Sequence, residues 1–223
     1  MKVLLGVTGS IAAKLTPKMV MAFQNDGNEV NVVMTDSAKH FVDEEAYHCP
    51  TWHDQDEFPI KYERVNDDGS MMIPHIYLKD WADVLVVAPL TANTLAKIAH
   101  GMSDNLLTST IRAWNGDNPI VVAPAMNTDM WNHPVTSRNL QEIMHTYNYD
   151  VAHTHGNSLY GSDLNSGPGT PGEYYMAQLM PRRRLFVLVS PVEKKLACGA
   201  TGIGAMADID DIVRITKRTC SFK

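Results

Sequence analysis

The sequence predicts a doubly wound α/β fold with a mainly parallel sheet, and three observations carry that reading. Short apolar runs alternate with helical stretches along the chain. The runs are continuously apolar, as expected for strands covered by helices on both faces. Turn-forming residues close the runs at their carboxyl ends, where open α/β sheets bind ligands. At 223 residues with 44% hydrophobic content, the chain suits a single domain, 1–223, with a real core.

The elements come in order. Val3 to Val7 is an apolar run closed by Thr8-Gly9-Ser10, and Ile11 to Asn25 reads as one helix ended by Asp26-Gly27-Asn28. Val30 to Met34 is a second strand. Val84 to Ala88 is a third, followed at once by Pro89 and a helix through Ile98. Ile120 to Ala123 is a fourth, stopped by Pro124, and Leu185 to Val189 is a fifth. Between the last two, 153–184 is rich in Gly, Ser, Asn and Pro, lacks an apolar period, and is too long for an ordinary connection. It reads as a surface insertion, either mobile or functional. Arg182-Arg183-Arg184 at its end is a solvated basic turn or a phosphate clamp.

A formal net charge of −6 argues against nonspecific nucleic-acid binding, which needs a basic surface. No stretch reaches the roughly 18 apolar residues of a membrane span. The opening Met1 to Val7 is too short for a secretion signal. Cys49, Cys198 and Cys220 are too few and scattered for a disulfide framework or a metal cage, and the odd count without C-x-x-C fits a reducing compartment. The expectation is a cytoplasmic protein without a metal.

Four segments carry candidate chemistry. Gly9-Ser10 lies where the first strand turns into a helix: glycine allows close approach, and the serine hydroxyl either caps the helix or meets a phosphate. The spacing departs from G-x-G-x-x-G, so no dinucleotide fingerprint is present. Pro89-Leu90-Thr91-Ala92-Asn93-Thr94 sets two hydroxyls and an amide at a helix start, more than one cap requires, and suits a planar heteroaromatic ring or its polar chain. In Pro124-Ala125-Met126-Asn127-Thr128-Asp129-Met130-Trp131, Asn127 can hold a carboxylate. There Met126, Met130 and Trp131 either wall a flat pocket or belong to the core, and core is the better reading for Trp131. Finally, Cys198 sits among Gly199, Gly202 and Gly204, three glycines expected to deny the segment regular structure and leave the thiol on a flexible loop. His75, one of nine histidines, carries little weight alone.

Together these segments resemble the family of homo-oligomeric flavin-containing cysteine decarboxylases. The resemblance runs from Lys2 to about Val151 and resumes from Lys194 to about Lys217. Pro89 to Thr94 is similar to the family's PASANT motif, with Leu90 and Thr91 for Ala and Ser, and Pro124 to Met130 matches P-x-M-N-x-x-M in full. The resemblance implies a Rossmann-like, flavodoxin-like flavoprotein domain with FMN bound between the subunits of a homotrimer. Gly9, Ser10 and Ile11 would meet the FMN phosphate region, with a further contact from Ser37. Thr91, Ala92, Asn93, Thr94 and Ala125 would line the rest of the cofactor site.

Lys195-Leu196-Ala197-Cys198-Gly199 and Gly204-Ala205-Met206-Ala207 resemble the substrate clamp (194–207) of the branch that acts on 4′-phosphopantothenoylcysteine in coenzyme A synthesis. Asn127 would bind the substrate carboxylate with Lys195, Ala197 and Met206, while His75 would act as base and Cys198 as proton donor. Three other readings compete. A peptidyl-cysteine decarboxylase generally lacks the clamp cysteine. A flavin-binding phosphatase inhibitor relies on an acidic tail, which Ile215-Thr216-Lys217-Arg218 and the remaining residues to Lys223 do not supply. An NAD-dependent reductase, with Asp36 on the ribose, lacks its glycine fingerprint.

Overall fold

Val, Leu and Ile dominate five parallel strands at the centre of the molecule, seen in a computed structural model that describes residues 1–58, 65, 69, 71–114, 117–152, 185–195 and 201–221. The strands are β1 (Lys2–Val7), β2 (Glu29–Met34), β4 (Val84–Leu90), β5 (Ile120–Pro124) and β7 (Leu185–Val189); two more, β3 (Thr51–His53) and β6 (Asn148–Ala152), form the edges. Their order is β3-β2-β1-β4-β5-β7-β6, with every neighbouring pair parallel. With β3 counted, the order begins as in a dinucleotide-binding sheet. Without that three-residue edge strand it begins as in flavodoxin. In both views the direction of winding reverses between β1 and β4, which opens a crevice at their carboxyl ends.

Successive strand residues face opposite ways, and the core divides accordingly. Val3, Leu5, Val7, Val86 and Val187 pack on one face against α1 (Thr16–Asn25) and α8 (Ile209–Cys220), through Met19, Phe23, Ile212 and Ile215. Leu4, Leu85, Val87, Val122 and Phe186 pack on the other. There they meet α3 (Pro74–Trp81), α4 (Ala92–Ala99), α5 (Leu106–Ala113) and α7 (Pro134–Thr146), through Leu78, Leu95, Leu107 and Leu140. The five inner strands are thus buried on both sides, which accounts for their unbroken apolar runs. Trp131, in the one-turn helix α6 (Thr128–Trp131), is a core residue at 2% exposure. None of the helices in the described residues is long and apolar enough to cross a membrane.

Three expectations need correction. The helix expected from Ile11 to Asn25 is divided: Ile11–Leu15 is a 3₁₀ turn and α1 begins at Thr16, because Pro17 suits a helix start and not an interior. The third strand does not stop at Ala88. It runs through Pro89 to Leu90, with its register against β5 shifting between Val87 and Leu90. Proline offers no ladder donor at that point, while its carbonyl accepts a hydrogen bond from Thr8 Oγ at 2.7 Å. Gly202 and Gly204 do not deny their segment structure: they lie in β9 (Thr201–Ala205), which pairs antiparallel with β8 (Val192–Lys195), while Cys198 and Gly199 lie outside the described residues. The insertion 153–184, with Arg182 to Arg184, lies outside the described residues.

Candidate active site

The loops after β1, β2, β4 and β5 meet at the carboxyl edge of the sheet, and their contacts explain the small residues found there. A methyl group on Gly9 would stand 2.6 Å from the Cβ and Oγ of Ser37 and 2.9 Å from its carbonyl oxygen. Only glycine lets the turn after β1 lie against the turn after β2. Ser10 accepts a hydrogen bond from the Ala12 backbone N–H at 3.3 Å and so caps the 3₁₀ turn. The side chain of Ile11 is 53% exposed beside it.

Thr8 ties this corner to the next. While its hydroxyl donates to Pro89, its oxygen accepts from the Thr91 N–H at 3.1 Å. Thr91 in turn caps α4, accepting from the Thr94 N–H. The Ala125 N–H donates to the Leu90 carbonyl at 2.9 Å, so the loop after β5 is held to the end of β4. Ser37, Asn93 and Asn127 are exposed, and Gly9, Ser10, Thr91 and Ala92 are half-buried. Thr94 and Ala125 are buried beneath them. These loops form an accessible surface of hydroxyls, amides and close-packed backbone, the donor set that a phosphorylated, planar cofactor requires.

The hairpin reaches this surface from the far side. The Met126 N–H donates to the Gly204 carbonyl at 2.9 Å. Cβ atoms added at Gly204 and Gly202 would lie 2.4 Å from the Met126 carbonyl oxygen and Thr128 Oγ1, respectively. The two glycines therefore seat the hairpin on the loop that carries Asn127, whose side-chain oxygen accepts from the Asp129 N–H at 2.7 Å. Met206 is 4% exposed and packs with the core cluster on the α8 side. Only the backbone of Lys195 is described, and Ala197 and Cys198 lie outside the described residues.

His75 sits apart from this cluster, in the first turn of α3, and its side chain is 25% exposed. Glu57 of the short helix α2 (Asp54–Glu57) holds it: the ring Nδ1 lies at hydrogen-bond distance, 2.5 Å, from Oε1, and the His75 backbone N–H donates to Oε2 at 3.2 Å. Three residues earlier, Asp54 accepts from the backbone N–H groups of Asp36 and Leu106, both at 3.1 Å. Burial pushes its carboxyl above the usual carboxylate range, with the two backbone donors and Lys39 opposing and Asp36 adding to the shift. Helix α2 thus joins the loop that carries Ser37 to the helix that carries His75. Sequence reasoning missed Thr8, Asp54 and Glu57. The acidic spacing Asp54-Gln55-Asp56-Glu57 was the available signal, but its partners lie far away in the chain.

A switch-point crevice lined by hydroxyls, with close-packed glycine turns and no dinucleotide fingerprint, defines a mononucleotide-binding α/β protein. The chain belongs to the flavoprotein family, whose model matches residues 1–221. It is 37% identical over 213 residues to a phosphopantothenoylcysteine decarboxylase of Mus musculus, covering 95% of this chain and 83% of that one. Among solved structures, it is similar to a cysteine-to-serine variant of PPC decarboxylase in complex with pantothenoylaminoethenethiol, with a TM-score of 0.73 and 35% identity over 99% of this chain and 98% of the other. It is also similar to the FMN binding protein AtHal3, with a TM-score of 0.70 and 35% identity over 100% and 97% of the two chains.

Proposed function

We propose that this flavoprotein is an FMN-dependent carboxy-lyase that converts 4′-phosphopantothenoylcysteine to 4′-phosphopantetheine in coenzyme A biosynthesis. The observation that carries the reading is the P-x-M-N-x-x-M loop after β5, held between the end of β4 and the hairpin whose connection contains Cys198. Relatives that match over nearly the whole chain act on this substrate, by name, and support the same reading.

Gly9, Ser10, Ile11 and Ser37 hold the FMN phosphate end, and Thr91, Ala92, Asn93, Thr94 and Ala125 line the remainder. Bound FMN supplies the two-electron couple that turns the thiol-bearing carbon into an electron sink and then restores it. The Asn127 side-chain amide donates to the substrate carboxylate and fixes its orientation. Lys195, Ala197 and Met206 cover the substrate from the hairpin. His75 takes a proton at Nε2, and Cys198 returns one late in turnover. Homotrimer assembly, with FMN held where subunits meet, is supported by apolar side chains exposed on these loops, Ile11 and Met130 among them. The cysteine pattern supports a cytoplasmic site of action.

Purified protein is expected to be yellow, or to become so with added FMN, and to release CO₂ from 4′-phosphopantothenoylcysteine. Cys198→Ser is expected to release CO₂ yet accumulate an enethiol. Normal 4′-phosphopantetheine formation by that variant removes Cys198 from its role, and a chain that never takes up flavin overturns the whole reading.

A further inference from the structure

We infer that Glu57 is the positioning residue for His75, holding the imidazole in its Nδ1–H tautomer so that Nε2 is the basic atom. The inference rests on the assignment of His75 as the active-site base and says what makes it one.

Glu57 is 6% exposed, and a carboxylate that far from water must be compensated by donors. One oxygen accepts from the backbone N–H of His75 and the other lies 2.5 Å from the ring Nδ1 of the same residue. This two-point grip fixes the side-chain torsions as well as the ring plane. The same carboxylate stands at the start of α3, where the N-cap Ile73 makes no side-chain bond to the helix. Negative charge is favourable at that end, so fold and site both hold Glu57 in place. An acceptor-only partner on Nδ1 forces the proton to stay there, and the lone pair is left on Nε2. The side chain is 25% exposed, so the ring is not sealed in the core.

The alternative is that Glu57 only caps α3, and Glu57→Gln separates the two. Glutamine has a single carbonyl oxygen. When that oxygen accepts from the backbone N–H, its NH₂ group faces Nδ1 and drives the ring proton to Nε2. Histidine-selective ¹⁵N spectra of the holoenzyme read the tautomer directly. The expected result is an Nδ1–H ring in the wild type, whereas the Nε2–H form in the wild type overturns the inference before any variant is made.

In E57Q the tautomer is expected to switch and kcat to fall about 10–100-fold, the usual cost of losing a partner that orients a histidine, with flavin content unchanged. Added to His75→Asn, E57Q is expected to cost nothing further. Costs that multiply in the double variant mean that Glu57 acts apart from His75, and the inference fails. An active E57Q beside an inactive H75N removes Glu57 alone. Full turnover by H75N removes the assigned base, and with it the part played by Glu57 in turnover.

Discussion

Gly9 is where one missing methyl group decides the geometry of the cofactor end. Because the clash would include the Ser37 main chain, Gly9→Ala cannot be absorbed by a rotamer change. The turns after β1 and β2 must separate, at a cost of about 1–3 kcal/mol. The expected outcome is a folded chain with less bound flavin, measured as absorbance per mole of protein; wild-type flavin content argues against the close approach. Cys49 behaves in the opposite way from a reactive thiol. Burial pushes it up to about 11, so it stays protonated near neutrality, and the thiolate is the nucleophile. Iodoacetamide followed by peptide mass spectrometry is expected to leave Cys49 unlabelled at neutral pH, with label accumulating only in alkali. Gly9, Ser10 and Thr91 were legible because turn and cap chemistry is local. Thr8, Asp54 and Glu57 were not, since each acts on a partner brought near only by the fold.

At the scale of elements, the hairpin shows how local reasoning misleads. Three glycines in six residues suggested an irregular loop, yet Gly202 and Gly204 serve close approach within regular structure. Gly204 combines a φ of 134° with a backbone neighbour 2.4 Å from any added Cβ. Gly204→Ala therefore strains the chain and lifts β9 off Met126, with about 1–3 kcal/mol for the backbone strain alone. The expected phenotype is faster amide exchange across β8 and β9, with flavin retained and turnover reduced; unchanged exchange dissociates the glycine from docking. The edge strands escaped notice for a simpler reason. β3 has three residues and β6 reads Asn-Tyr-Asp-Val-Ala, too short or too polar to announce a strand, and among the described residues each pairs on one side only. The five inner strands were legible because double-sided burial writes itself as uninterrupted Val, Leu and Ile.

For the whole molecule, the two-faced core is independent of the loop surface above it. All seven strands of the sheet pair among the described residues, while Ser37, Asn93 and Asn127 are exposed, Gly9, Ser10, Thr91 and Ala92 half-buried, and Thr94 and Ala125 buried beneath them. A ligand bound only by the folded state stabilises it by mass action, about 2.7 kcal/mol at a hundredfold excess over Kd. Stripping the flavin is thus expected to lower Tm without unfolding the chain and, on the proposed assembly with FMN between subunits, to lower the mass seen by light scattering. A Tm indifferent to FMN places the cofactor elsewhere. The groove of about 370 Å³ lined by Met71, Ile73 and, on α3, Ile76, Tyr77, Asp80 and Trp81 lies outside the flavin-site residues.

The way β9 rests on the loop after β5 has a consequence for how such proteins diversify. The attachment uses a main-chain hydrogen bond, two positions that must stay bare, and the packing of Ile203 against the core. Side chains on the strand that take no part in this contact can change while the anchorage endures. A scaffold of this kind can acquire new clients without rebuilding its foundations.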